Sequence, residues 1–182
     1  MSKARSLALL VLIAVVSAAG GAGYFLWQRG ADTVADRPLT AQPVVERVYA
    51  ARLADLKGAP QSIGQWRGQV LVVNFWATWC APCREEIPGF VRLQERYGAR
   101  GLRFVGVAFD QPEKVAEFAR EFGINYPLLI GGLDTMELLR AAGNRAGVLP
   151  YTLIIDRVGN LVSQQPGGLK EAMLESIIQS LI

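Results

Sequence analysis

Val70-Leu71-Val72-Val73-Asn74-Phe75-Trp76-Ala77-Thr78-Trp79-Cys80-Ala81-Pro82-Cys83 passes from a nearly unbroken apolar run to two cysteines three positions apart. An apolar run without polar alternation is the mark of a central strand covered on both faces. From Ala81 to about Tyr97 the period becomes helical, with Ile87, Phe90, Val91, Leu93 and Tyr97 on one stripe. Pro88 lies inside that segment and is expected to kink it or divide it in two. The cysteines thus fall where a buried strand hands over to a helix.

That position carries chemistry. A cysteine at a helix N-terminus faces unsatisfied backbone N–H groups and the positive end of the helix dipole, and both favour thiolate. Thiolate is the nucleophilic form, so Cys80 is the expected attacking sulfur. Cys83 sits one turn on, on the same side, and can resolve a mixed disulfide. Pro82 suits the first helical turn, where a missing N–H costs little. The competing uses of C-x-x-C fit poorly. Zinc takes four ligands, and the chain has two Cys and no His. Covalent haem attachment needs His after the second Cys, where Arg84 stands. A purely structural bridge over so short a loop stabilises little. A redox-active disulfide with no metal and no other cofactor is the expectation.

Outward from this junction, the pattern alternates. Ala50–Leu56 reads as a short strand, Lys57-Gly58-Ala59-Pro60 as a turn, and 63–68 as a loop or single helical turn carrying Trp66. Leu102–Phe109 reads as a second buried strand. A helix start at Asp110 and Pro112 follows, with Val115, Phe118, Ala119 and Phe122 on one face and Gly123 as terminator. A strand at Pro127–Ile130, a helix at Thr135–Ala142, a hairpin of Tyr151–Ile155 with Leu161–Gln165, and a final helix from Lys170 to Leu181 complete the chain. Strand–helix–strand alternation closed by a hairpin and a helix predicts an α/β fold with a mixed central sheet and helices on both faces.

The 182 residues are 51% hydrophobic, enough for one well-buried domain plus an appendage. The formal charge is +3. Lys3, Arg5 and Arg29 are the only charged residues in the first thirty, and without them 16 basic residues face 16 acidic ones. The balance leaves no basic stripe for nucleic acid.

Lys3 and Arg5 precede an uncharged, mostly apolar stretch, Leu7–Trp27. About 20 helical residues cross a ~30 Å hydrocarbon layer, and Tyr24 and Trp27 fit an interfacial belt. Residues 1–28 are therefore expected to anchor the chain in the bilayer through 7–27, with the N-terminus cytoplasmic and the rest outside. Leu7–Val16 followed by Ser17-Ala18-Ala19 also suits a cleaved signal peptide. Both readings export the domain. Residues 29–47, with Pro38 and Pro43, read as a linker, and 48–182 as the folded domain.

Asn74–Cys83 followed by Glu86-Ile87-Pro88 resembles the TlpA/ResA-type membrane-anchored thioredoxin-like family, from about Ala50 to the end. Gly147-Val148-Leu149-Pro150-Tyr151-Thr152-Leu153-Ile154-Ile155-Asp156 resembles that family's second landmark. The resemblance implies a thioredoxin-like fold, a cis bond before Pro150 and a Pro150 that faces the redox pair. It also implies that Leu149 offers backbone to an extended client peptide. Trp79 beside Cys80 is a candidate client contact, whereas Trp76 reads as core and Trp66 is unassigned.

One departure is informative. Many thioredoxins carry a buried Asp directly before Phe-Trp, and this chain has Asn74, which cannot take a proton. Glu86 occupies the place of the family's buried Glu. It reads either as the proton carrier for Cys83, three residues before it, or as a solvated first-turn glutamate like Glu85. The implied activity is an exported thiol–disulfide oxidoreductase. It would take electrons from a membrane donor through a thiol–disulfide relay and reduce disulfide-bearing clients, in cytochrome c maturation or copper-site assembly. An oxidant or isomerase is the alternative within the class; a peroxiredoxin-type peroxidase and a Cu(I) chaperone are the rivals outside it.

Overall fold

The computed structural model describes residues 41–182. The expected anchor, residues 1–28, lies outside them. Among the described residues no helix is long and apolar enough to cross a membrane.

The helices are α1 (Ala41–Ala50), α2 (Ala81–Tyr97), α3 (Pro112–Glu121), α4 (Leu133–Ala141) and α5 (Glu171–Leu181). The strands are β1 (Arg52–Asp55), β2 (Pro60–Ser62), β3 (Val70–Trp76), β4 (Leu102–Ala108), β5 (Leu128–Ile130), β6 (Tyr151–Ile155) and β7 (Leu161–Pro166). One seven-stranded sheet runs β2-β1-β5-β4-β3-β6-β7. β3, β4 and β5 are parallel; β1–β5, β1–β2, β3–β6 and β6–β7 pair antiparallel. This is the expected thioredoxin-like mixed sheet.

All seven residues of β3 are buried. Side chains alternate along a strand, so its two faces feed two cores. Val70, Val72 and Trp76 join a cluster that takes in both cysteines and apolar residues of α2, α3 and α5. Leu71, Val73 and Phe75 join another with Val44, Val45, Val48 and Tyr49 of α1 and Leu139 of α4. Gly106 of β4 is where neighbours leave no room: a Cβ there would meet Leu128 at 2.6 Å and the Trp76 indole nitrogen at 3.0 Å.

Three local expectations change. Residues 41–47, expected as linker, belong to α1, because Val44, Val45, Val48 and Tyr49 form a buried helical face. Pro43 does not prevent this, since it is the third residue of the helix, where the N–H has no intrahelical partner. Pro60–Ser62 is a strand paired with β1, not only the end of a turn. Pro88 does not divide α2, which continues for 17 residues with Ile87, Phe90 and Leu93 fully buried on the sheet. The proline removes one backbone donor, and the packed stripe carries the helix past it.

Candidate active site

β3 ends at Trp76 and the chain turns through Ala77, Thr78 and Trp79 into α2. The Cys80 N–H donates to the Ala77 carbonyl (3.2 Å), and the Arg84 N–H donates to the Cys80 carbonyl (3.1 Å). Cys80 is the N-cap of α2, with Pro82 in the first turn. Cys80 and Cys83 form a disulfide across 5.3 Å between Cα atoms. Both are buried: Cys80 is 6% exposed and Cys83 0%. Cys80, the expected attacking sulfur, is largely covered by the surrounding core, yet it is the one of the two with any surface. Trp79 beside it is 69% exposed, while Trp76 is core and Trp66 is half-buried against the α1 side.

The turn before Cys80 is fastened from residues that sequence reasoning did not single out. The Thr78 hydroxyl donates to the Asp110 carboxylate, and Arg84 Nη1 donates to the Thr78 carbonyl at 3.3 Å. The Arg84 guanidinium lies 4.9 Å from the Phe118 ring centroid and 5.0 Å from that of Phe122. Burial pushes the Asp110 carboxyl up, but hydrogen bonds from Thr78 and the Gln111 N–H, with Lys114 nearby, outweigh it and hold it below its ordinary value. Asp110 was legible only as a helix start, because its partner Thr78 is 32 residues away.

Behind the disulfide lies a buried polar group. Glu86 is 7% exposed, unlike its exposed neighbour Glu85. Asn74 Nδ2 donates to Glu86 Oε1 (2.8 Å) and to Thr152 Oγ1 (3.0 Å), and the Leu169 N–H donates to Glu86 Oε2 (2.9 Å). Burial raises the Glu86 pKa from the ordinary 4.5 to about 7, against the lowering effect of the Leu169 and Asn74 hydrogen bonds. Tyr126 is itself pushed upward by burial and then by the Glu86 charge. A cleft of about 330 Å³ lined by Pro82, Glu86, Gly89, Arg92 and Lys170 lies along this side of α2.

The Leu149–Pro150 peptide is cis, the geometry the resemblance implied. The Pro150 carbonyl accepts from the Gly167 N–H (2.8 Å), and a Cβ on the next residue, Gly168, would lie 3.7 Å from Pro82 Cβ. The loop after β7 thus brings Pro150 to the same end of the sheet as the disulfide. Leu149 is half-buried between the two cores. Among the described residues, no cluster of three or more Cys, Asp or Glu could hold a metal. Two sulfurs at a helix start, one fully buried and one slightly exposed, with a carboxyl of pKa about 7 on the same helix face, can exchange a disulfide and manage the proton it releases.

Residues 44–164 match the model of the AhpC/TSA family. The thiol–disulfide oxidoreductase ResA of Halalkalibacterium halodurans is 30% identical over 172 residues, covering 93% of this chain and 91% of that protein. The thiol:disulfide interchange protein HelX of Rhodobacter capsulatus is 32% identical over 165 residues, covering 89% and 88%. Among solved structures, a thiol:disulfide interchange protein of the thioredoxin family from Chlorobium tepidum TLS is 31% identical. It superposes with a TM-score of 0.65 over 81% of this chain and 99% of that one.

Proposed function

The chain belongs to the AhpC/TSA family as a ResA-like thiol–disulfide oxidoreductase, and from that premise we propose that it is an exported reductase of client disulfides. The observation that carries the reading is the Cys80–Cys83 pair at the start of α2, with Glu86 buried on the same helix. The Cys80 thiolate attacks a client disulfide, forms a mixed disulfide and releases one client sulfur, which takes up a proton. Cys83 gives its proton to Glu86 and attacks the Cys80 sulfur. The mixed disulfide breaks, Cys80–Cys83 closes, and the second client thiol leaves. Two electrons pass to the client, and an upstream dithiol at the membrane restores the pair.

Clients in cytochrome c maturation or copper-site assembly fit the family resemblance. Trp79 and the Leu149 backbone are the proposed client contacts. No cofactor beyond the disulfide is needed. Residues 7–27 are proposed to hold the domain to the bilayer on the extracytoplasmic side; intact mass of the mature protein tests this, and an N-terminus near Gly20 would replace the anchor with a cleaved signal. A peroxidase would be expected to carry its reactive Cys in a Pro/Thr/Cys pocket rather than in Cys-x-x-Cys.

Direction is tested by the reduction potential of the couple. A value near that of thioredoxin, about −270 mV, supports a reductase, and one near about −120 mV would make the protein an oxidant. Stoichiometric Cu(I) binding without disulfide reduction would instead favour a chaperone.

A further inference from the structure

Asn144 has no part in the chemistry above, yet it is 5% exposed in the loop that leads to Pro150. Its carboxamide makes two hydrogen bonds to a single residue. The Val148 N–H donates to Asn144 Oδ1 at 3.0 Å, and Asn144 Nδ2 donates to the Val148 carbonyl at 2.6 Å. Exchange of both backbone bonds with one partner is what a neighbouring β-strand residue would offer. Here a side chain takes the place of that strand.

The brace has firm footings. The Asn144 N–H donates to the Leu139 carbonyl at the end of α4 (3.1 Å), and its own carbonyl accepts from the Gly147 N–H (3.2 Å). Gly147 has φ +66°, a conformation that side chains with a Cβ seldom adopt. The Ala142 carbonyl, two residues before Asn144, accepts from the Tyr151 hydroxyl (2.6 Å) and from Gln164 Nε2 (2.8 Å), which ties the loop to β6 and β7. The consequence falls on the next residue. Both backbone polar groups of Val148 are engaged, whereas among the described residues neither the N–H nor the carbonyl of Leu149 has a hydrogen-bond partner. The Val148 side chain remains 46% exposed beside them.

We propose that Asn144 is a positioning residue for client binding: by saturating Val148 it fixes the register in which an extended, disulfide-bearing segment pairs with Leu149, next to the cysteine pair. The proposal rests on the reductase reading. Its test uses the full chain, insulin as a disulfide-bearing protein, and 5,5′-dithiobis(2-nitrobenzoate) as a small disulfide. Loss of a buried hydrogen-bonded brace in Asn144→Ala should raise the insulin KM about ten-fold, with kcat changed less than about two-fold and the reduction potential unmoved. Amide exchange at Val148 should quicken in the same variant. If Asn144→Ala does not fold, Asn144→Asp, which keeps the acceptor for the Val148 N–H, must show the same KM split. An insulin KM like wild type, or KM and potential shifting together, overturns the proposal and leaves the reductase reading standing. A wild-type protein that reacts with the small disulfide but leaves insulin oxidised overturns the reading itself.

Discussion

Leu71, Val73 and Phe75 leave one face of β3, and Val72, Asn74 and Trp76 leave the other, a single residue out of step. The first set enters an apolar core that includes Tyr49 and Tyr151. The second shares its face with two cysteines and, through Asn74, with the buried carboxyl of Glu86. Burying a carboxyl costs free energy unless it is hydrogen-bonded or protonated, and Glu86 meets that cost with two donors and a raised pKa. One strand therefore supports an inert core on one side and a reactive one on the other. Both faces bury apolar side chains, and on the second some of that stabilisation is given up to hold a titrating group on the redox helix.

The largest effect expected from this division is on the reactive side. Cys80→Ser should abolish disulfide exchange, while Cys83→Ser should accumulate mixed disulfides through Cys80, seen as client adducts on non-reducing gels. Equal trapping by both variants would erase the distinction drawn from their exposure. On the inert side, Phe75→Ala should cost about 3–5 kcal/mol in denaturant unfolding and leave the reduction potential where it was. A shifted potential would show that the two faces are not separable.

Glu86 gives the sharpest comparison. Its folded pKa is raised above the unfolded value, so between about 4.5 and 7 the folded state keeps a proton that the unfolded state has lost. Stability contributed at low pH is then lost as pH rises through that window, by about 3 kcal/mol when complete. The chain has no histidine to titrate alongside it. Oxidised wild-type protein should therefore be less stable at pH 8 than at pH 5 by an amount that Glu86→Gln lacks. In the reduced state the same variant, freed of the carboxylate charge, should show lower thiol pKa values and a slower resolving step. Parallel pH profiles for the two proteins would return Glu86 to a passive role.

The smallest effect belongs to the outer surface of α2. Arg92 and Glu171 pair at 2.5 Å with the arginine side chain 56% exposed, and Arg96 pairs with Glu175 in the same seam. Exposed pairs contribute little and are screened by salt. Arg92→Ala should shift thermal unfolding only slightly and less at high ionic strength, and a large, salt-insensitive loss would show that α5 holds the redox helix through charge and not through its apolar stripe.

Sequence by itself determined most of the elements and the chemistry. The unbroken run of β3, the stripe of α2 and the cysteines at their junction are local signals, since covered strands, helical periods and helix-start thiolates each follow from neighbours in the chain. It was weaker where a local signal was shared between outcomes. Pro43 and Pro60 look alike as turn markers, yet one lies in the first turn of α1 and the other opens an edge strand. Pro88 reads as a break, and only the burial of Ile87 and Phe90 on the sheet shows why α2 runs through it. Tertiary structure alone decided the partners of Glu86: Asn74 is 12 residues away and Leu169 is 83. The same holds for Thr78 with Asp110. These pairings exist because the sheet order brings distant strands to one end, and a carboxyl's pKa depends on what surrounds it in space, which residue spacing along the chain does not record.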